Sequence, residues 1–105
     1  MKRKKKVDST ENWSYKNDFP IEEVWNTYCY IAKAIVPRLK AFKALDKHGC
    51  PEDFFPDENK WNKAIQKMID AFELLQPHAI HYQVDEPTIE EGLDLFRKYY
   101  LNLWD

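Results

Sequence analysis

Glycine is nearly absent from this chain: Gly49 and Gly92 are the only two in 105 residues. So small a supply argues against a β-rich or loop-rich fold, both of which spend glycine on turns and bulges. Cysteine is as scarce. Cys29 and Cys50 are too few for a disulfide scaffold, and Cys29 falls inside a helical pattern well ahead of the loop that holds Cys50, so both read as free thiols. No apolar run approaches the roughly 18 residues of a membrane span. The basic start leads into Val7-Asp8-Ser9-Thr10-Glu11-Asn12 rather than an apolar signal-peptide core. The expectation is a cytoplasmic protein with no membrane partner. A glycine-rich phosphate loop and a strand-turn-helix nucleophile elbow are missing too, and the only serines, Ser9 and Ser14, lie near the start, which removes the usual routes to nucleophilic catalysis.

What is present is apolar and aromatic mass. An apolar content of 44% in 105 residues supports one modest core and one domain. The aromatic share of 15% supplies large buried areas from few side chains. The formal charge of −2 hides an asymmetry: five of the 16 basic residues sit in Lys2 to Lys6, leaving 11 against 18 acidic residues and a body charge of −7. A body that acidic is a poor binder of nucleic acid, which needs clustered Lys and Arg.

Residues 1–17 are polar and aperiodic apart from Trp13 and Tyr15, and read as a disordered arm able to dock those two aromatics, its Lys-rich start solubilising the chain. The helical domain is expected over 18–105. Asp18-Phe19-Pro20-Ile21-Glu22-Glu23 suits a helix start. Ile21, Trp25, Tyr28, Ala32, Ile35, Leu39 and Phe42 then follow a four-three spacing, ending at Gly49 as a terminal cap. Pro37 should kink or split this first helix. A second helix, capped by Asp57, aligns Trp61, Ile65, Met68, Phe72 and Leu75. A third, with Thr88 and Glu91 in capping-box spacing, aligns Ile89, Leu93, Phe96, Tyr100 and Leu103. These stripes predict an all-α, up-down-up three-helix bundle, with Trp104 wrapped over its end near Leu45, Phe54 and Phe55.

Three constellations bear on chemistry. His48-Gly49-Cys50 and His78-Ala79-Ile80-His81 carry zinc-type ligands, but helix two separates their loops by roughly 27 Å, so one site cannot use both; no structural metal is expected. Lys33, Lys40, Lys43 and Lys47 form a basic stripe that reads as a solvated face, able to pair with Glu86, Glu90 and Glu91. Asp70 and Glu73, then Glu91 and Asp94, are two acidic pairs on adjacent helices, which could hold magnesium against nucleotide phosphates. The spacing of these four resembles the acidic motif of MazG-type nucleotide pyrophosphohydrolases, with Asp70 where that family has Glu. The resemblance implies a magnesium-dependent hydrolase as the enzymatic alternative.

A broader resemblance runs through Trp25-Asn26, Ile31-Ala32-Lys33, Ile35-Val36-Pro37-Arg38-Leu39-Lys40-Ala41-Phe42-Lys43, Trp61-Asn62-Lys63, Met68-Ile69-Asp70-Ala71-Phe72-Glu73 and the ending Gly92-Leu93-Asp94-Leu95-Phe96-Arg97-Lys98-Tyr99-Tyr100-Leu101-Asn102-Leu103-Trp104-Asp105. Taken together these stretches resemble a group of small uncharacterised proteins of tailed bacteriophages. Thr27 and Tyr28 follow Trp25-Asn26 where members tend to carry an Asp. The resemblance implies a phage-encoded accessory protein acting in the host cytoplasm. The leading expectation is a non-enzymatic, cofactor-free protein that binds a host or phage macromolecule, as an inhibitor of a bacterial defence system of the anti-CRISPR kind. Its partner-binding residues would be Asp85, Glu86, Glu90, Glu91 and Asp94 with the aromatics Tyr82 and Tyr99. A homo-oligomeric virion component, dimerising through surplus aromatics, is the third expectation.

Overall fold

The computed structural model describes residues 13–77 and 85–105, and within them every regular element is helical. A short turn, α1 (Trp13–Lys16), is followed by a 3-10 segment (Ile21–Asn26), α2 (Thr27–Ala44), α3 (Glu58–Leu74), α4 (Glu86–Tyr99) and a closing 3-10 turn (Tyr100–Asn102). The aromatic ends of the helices set their directions. Phe42, near the end of α2, and Tyr99, at the end of α4, both meet Trp61 in the first turn of α3. Helix α3 therefore runs antiparallel to both neighbours, which gives the expected up-down-up three-helix bundle with α3 in the middle.

The central helix buries the widest face. Trp61, Ala64, Ile65, Met68, Ile69, Ala71 and Phe72 are all buried, because α3 is covered by α2 on one side and α4 on the other, and a helix between two partners needs an apolar face broader than one stripe. Its start is fixed by Asp57, whose carboxylate accepts from the backbone N–H groups of Asn59 (2.9 Å) and Lys60 (3.3 Å), two of the donors a helix start leaves unsatisfied.

Helix α2 departs from expectation in three places. Of the kink or split expected at Pro37, the split does not occur: the helix continues from Thr27 to Ala44. The ring lies on the exposed side, so the carbonyl deprived of its N–H partner faces water, and the Arg38 guanidinium donates to the Ala34 carbonyl at 2.7 Å. The change of helix type falls at Asn26 instead, where φ −127 and ψ 49 separate the 3-10 segment from α2. The helix also ends before Gly49, at an extended Leu45. Its terminal carbonyls are taken by Lys47, whose Nζ donates to Lys43 (2.9 Å), Phe42 (3.2 Å) and Leu45 (3.2 Å) oxygens while lying 5.3 Å from the Phe42 ring centroid. A cation there satisfies orphan acceptors and opposes the helix dipole. Finally, the core stripe is only half covered. Ala32, Val36 and Leu39 are buried, but Trp25 and Tyr28 are exposed.

In α4 the stripe is displaced by one position. Ile89, Gly92 and Tyr99 are buried and Phe96 half-buried, whereas Leu93 and Tyr100 lie outside. Gly92 is the cause. A Cβ placed on it would overlap the Ala71 methyl and the Lys67 carbonyl oxygen, so α4 touches α3 along the line where it has no side chain. The Thr88–Glu91 capping box does not form either, because the helix begins at Glu86 with Pro87 in its first turn, which puts Thr88 inside the helix. At the other end of the chain, Trp13 is not loose: its indole Nε1–H donates to the Phe19 carbonyl at 2.6 Å and its ring stands edge-on to Phe19.

Gly92→Ala should destabilise the fold by about 1–3 kcal/mol, the range for overpacking a close contact, measured by chemical denaturation. Gly49→Ala is the control. Nothing lies within 4 Å of its Cβ position and its φ is not positive, so its midpoint should stay level or rise by about 0.4–1 kcal/mol from reduced unfolded-state entropy.

Candidate functional site

The acids expected to work together are dispersed. Asp70 accepts from Gln66 Nε2 on its own helix (2.8 Å), Glu73 pairs with Lys40 of α2 (2.8 Å), and Glu91 pairs with Lys67 (2.8 Å) across the α3–α4 contact. Asp94 is exposed on α4. Among the described residues no group of three or more His, Cys, Asp or Glu side chains could hold a metal ion. The four carboxylates thus fail the geometric requirement of a magnesium-bridged phosphate site. His78 and His81 lie outside the described residues, as does Tyr82.

Of the expected binding residues, Glu86, Glu90 and Asp94 remain open on the outer face of α4. Successive spacings of four place them on one line of the helix. Asp85 is half-buried at the helix start, and Glu91 is held by Lys67. Tyr99 is a core residue rather than a contact: it is 6% exposed and its hydroxyl donates to Asp53 Oδ2 at 2.8 Å. Burial raises the Tyr99 pKa above the ordinary tyrosine value, and the hydrogen bond to Asp53 acts in the same direction. Lys98 approaches the same Asp53 oxygen at 3.6 Å.

One concavity is built from segments that sequence reasoning did not bring together. The loop after α2, the first turn of α3 and the C-terminal segment enclose a cleft of about 300 Å³ lined by His48, Cys50, Pro51, Trp61, Trp104 and Asp105, among others. Asp105 closes it by a two-point contact: Oδ1 accepts from the His48 backbone N–H at 2.9 Å, and Oδ2 lies 3.0 Å from the imidazole Nδ1. Residues 57 apart in the chain are joined here, a separation that no local motif reports. Trp61, which lines it, is stacked on Phe54 with centroids 5.6 Å apart, and Phe54 is tilted against Tyr99 at 5.0 Å.

Trp104 reaches the 48–51 loop as expected but does not wrap over the bundle, since it is 75% exposed. Phe55, Tyr100 and Leu101 are also more than half exposed. The Cys50 thiol shares the cleft with His48. The His48 ring turns to Asp105 and solvent, and no hydrogen bond joins it to Cys50, so the base-to-nucleophile contact of thiol catalysis is not made. The cleft therefore combines apolar rings from Trp61 and Trp104 with the paired His48 and Asp105. No family model, curated protein or solved structure matches this chain.

The hydrogen bond to Asp105, reinforced by its charge, raises the His48 pKa above the ordinary 6.5. The His48 backbone N–H, then its ring, lowers that of Asp105 below the ordinary 3.8. The clamp's ionic contribution is therefore complete between those two ordinary values. It is lost as pH rises through the raised His48 value, and again as pH falls through the lowered Asp105 value. In an NMR titration the His48 ring protons should report a midpoint above 6.5, and the Trp104 indole resonance should move with the same midpoint. His48→Asn should abolish that coupled shift while leaving Trp61 unchanged.

Proposed function

We propose that this chain is a phage-encoded accessory protein that works by binding a macromolecule in the infected bacterium, with a nuclease-type defence complex as the target class. The observation that carries this reading is the outer face of α4. Glu86, Glu90 and Asp94 form an exposed acidic line on the helix that ends in exposed Tyr100 and Leu101. An acidic strip on an acidic body complements the basic grooves that such complexes use for nucleic acid, and speeds encounter with them. The exposed Tyr100 and Leu101 offer apolar surface for the desolvated contacts that hold a complex once formed. Among the described residues no helix is long and apolar enough to cross a membrane, which fits a partner met in the aqueous phase.

The triple charge reversal Glu86→Lys, Glu90→Lys, Asp94→Lys, with Glu91 kept so that its bridge to Lys67 survives, tests this. Captured from phage-susceptible host lysate on the immobilised wild-type chain, the partner should be a nucleic-acid-binding complex. The triple variant should bind it at least about tenfold more weakly, with an unchanged circular dichroism spectrum. Full retention of every partner by the triple variant would overturn the reading.

A further inference from the structure

The function proposed above does not use the cleft beside Asp105, since none of Glu86, Glu90 and Asp94 lines it. Its volume of about 300 Å³ is at the low end for small-molecule sites, about 300–1,000 Å³. That suits a ligand of a few rings rather than a stretch of folded protein. The charges in the cleft are already paired with each other. Both side-chain oxygens of Asp105 are taken by His48, one by the backbone N–H and one by the ring. Asp46 and Glu58 act on His48 through space, yet neither lines the cleft, and nor does Lys47. A charged ligand therefore finds no open counter-charge for the water it gives up. The cleft selects a neutral one.

What the lining offers instead is ring surface and an open amide. Trp61 and Pro51 are buried and show the cleft little of themselves, whereas the Trp104 indole is 75% exposed. Asn102 lines the same cleft, and among the described residues its side-chain amide has no hydrogen-bond partner. That amide carries a donor and an acceptor side by side. A flat, neutral ligand with an acceptor beside a donor on its edge can use both residues, and a nucleobase has that form. Any base stacks on an indole, but an Asn amide pairs bidentately with the N6 donor and N7 acceptor of adenine. We propose that the cleft binds an adenine nucleoside, its base stacked on Trp104 and its N6/N7 edge on the Asn102 amide. His48, almost fully exposed and with Nδ1 held by Asp105, has Nε2 left for the ribose hydroxyls. The body charge of −7 and the absence of an open cation among the lining residues favour the nucleoside over its phosphates.

Titrating the isotope-labelled full chain with adenosine should move the Trp104 indole and Asn102 side-chain NMR signals, with a Kd of about 10 µM to 1 mM, as expected of so small a ligand. At saturation, alkylation of half-buried Cys50, which also lines the cleft, should slow. Trp104→Ala should weaken binding at least about tenfold, and Trp104→Phe should recover most of the loss. Asn102→Leu should weaken adenosine binding by about tenfold and remove the preference for adenosine over inosine, whose O6 puts an acceptor where N6 donates. Both side chains are exposed, so the variants should keep the wild-type denaturation midpoint. No signal movement up to about 5 mM adenosine, or undiminished binding by Trp104→Ala, would overturn the proposal. Equal affinity for inosine would overturn the adenine edge. Tighter binding of adenosine monophosphate or of a single-stranded oligonucleotide would overturn the choice of a neutral nucleoside.

Discussion

The ring of Trp61 is the point from which the bundle is built. It is 1% exposed and touches Phe42 from α2, Phe54 from the following loop and Tyr99 from α4 at centroid separations of 6.4, 5.6 and 5.7 Å. Three chain segments that are remote in sequence thus share one buried side chain, and truncating a residue of this kind to alanine typically costs about 3–5 kcal/mol. The geometry is mixed, edge-on for Phe42 and Tyr99 and stacked for Phe54, as the ring quadrupole favours. Because Phe54 is pinned there, the loop that carries Cys50 and Pro51 is held against α3. The hydrogen bond from Tyr99 to Asp53 ties the end of α4 to the same loop, and the cleft beside Asp105 is a consequence of that anchoring.

Toward the other end of α3, Phe72 makes a second ring contact, edge-on to Phe96 at 4.9 Å, and Phe96 meets Tyr100 at 5.3 Å. In α2 Ala32, Val36 and Leu39 are buried. The proposed partner surface follows the outer face of α4.

Charge is spent mostly on the fold. Lys40 reaches Glu73, Lys47 caps α2, and Lys33 lies 5.9 Å from the Tyr30 ring centroid, so the lysine stripe legible in the sequence is divided among three separate tasks. Exposed bridges such as Lys67–Glu91 contribute only about 0–1 kcal/mol each, but they decide which acids remain free. Glu73 and Glu91 are engaged by lysines, while Glu86, Glu90 and Asp94 stay open.

Local periodicity was sufficient for the helices themselves, for the Asp57 cap and for the stripe on α3, since a 3.6-residue repeat is written in the order of the residues. It was insufficient wherever a neighbour decided the outcome. The α4 stripe was read through Leu93 and Tyr100 because they are large. Contact instead follows Gly92, whose missing side chain admits the backbone of α3 and turns Tyr99 inward. The spacing predicts a stripe buried along all of α2, although whether Trp25 is covered depends on which elements pack beside it. The His48–Asp105 clamp and the dispersal of the four acids likewise depend on which helix faces which. The amino-acid order by itself determined three amphipathic helices and an acidic body; only the tertiary structure decided which face of each helix is inside, because burial is a property of pairs of elements set by their closest approach.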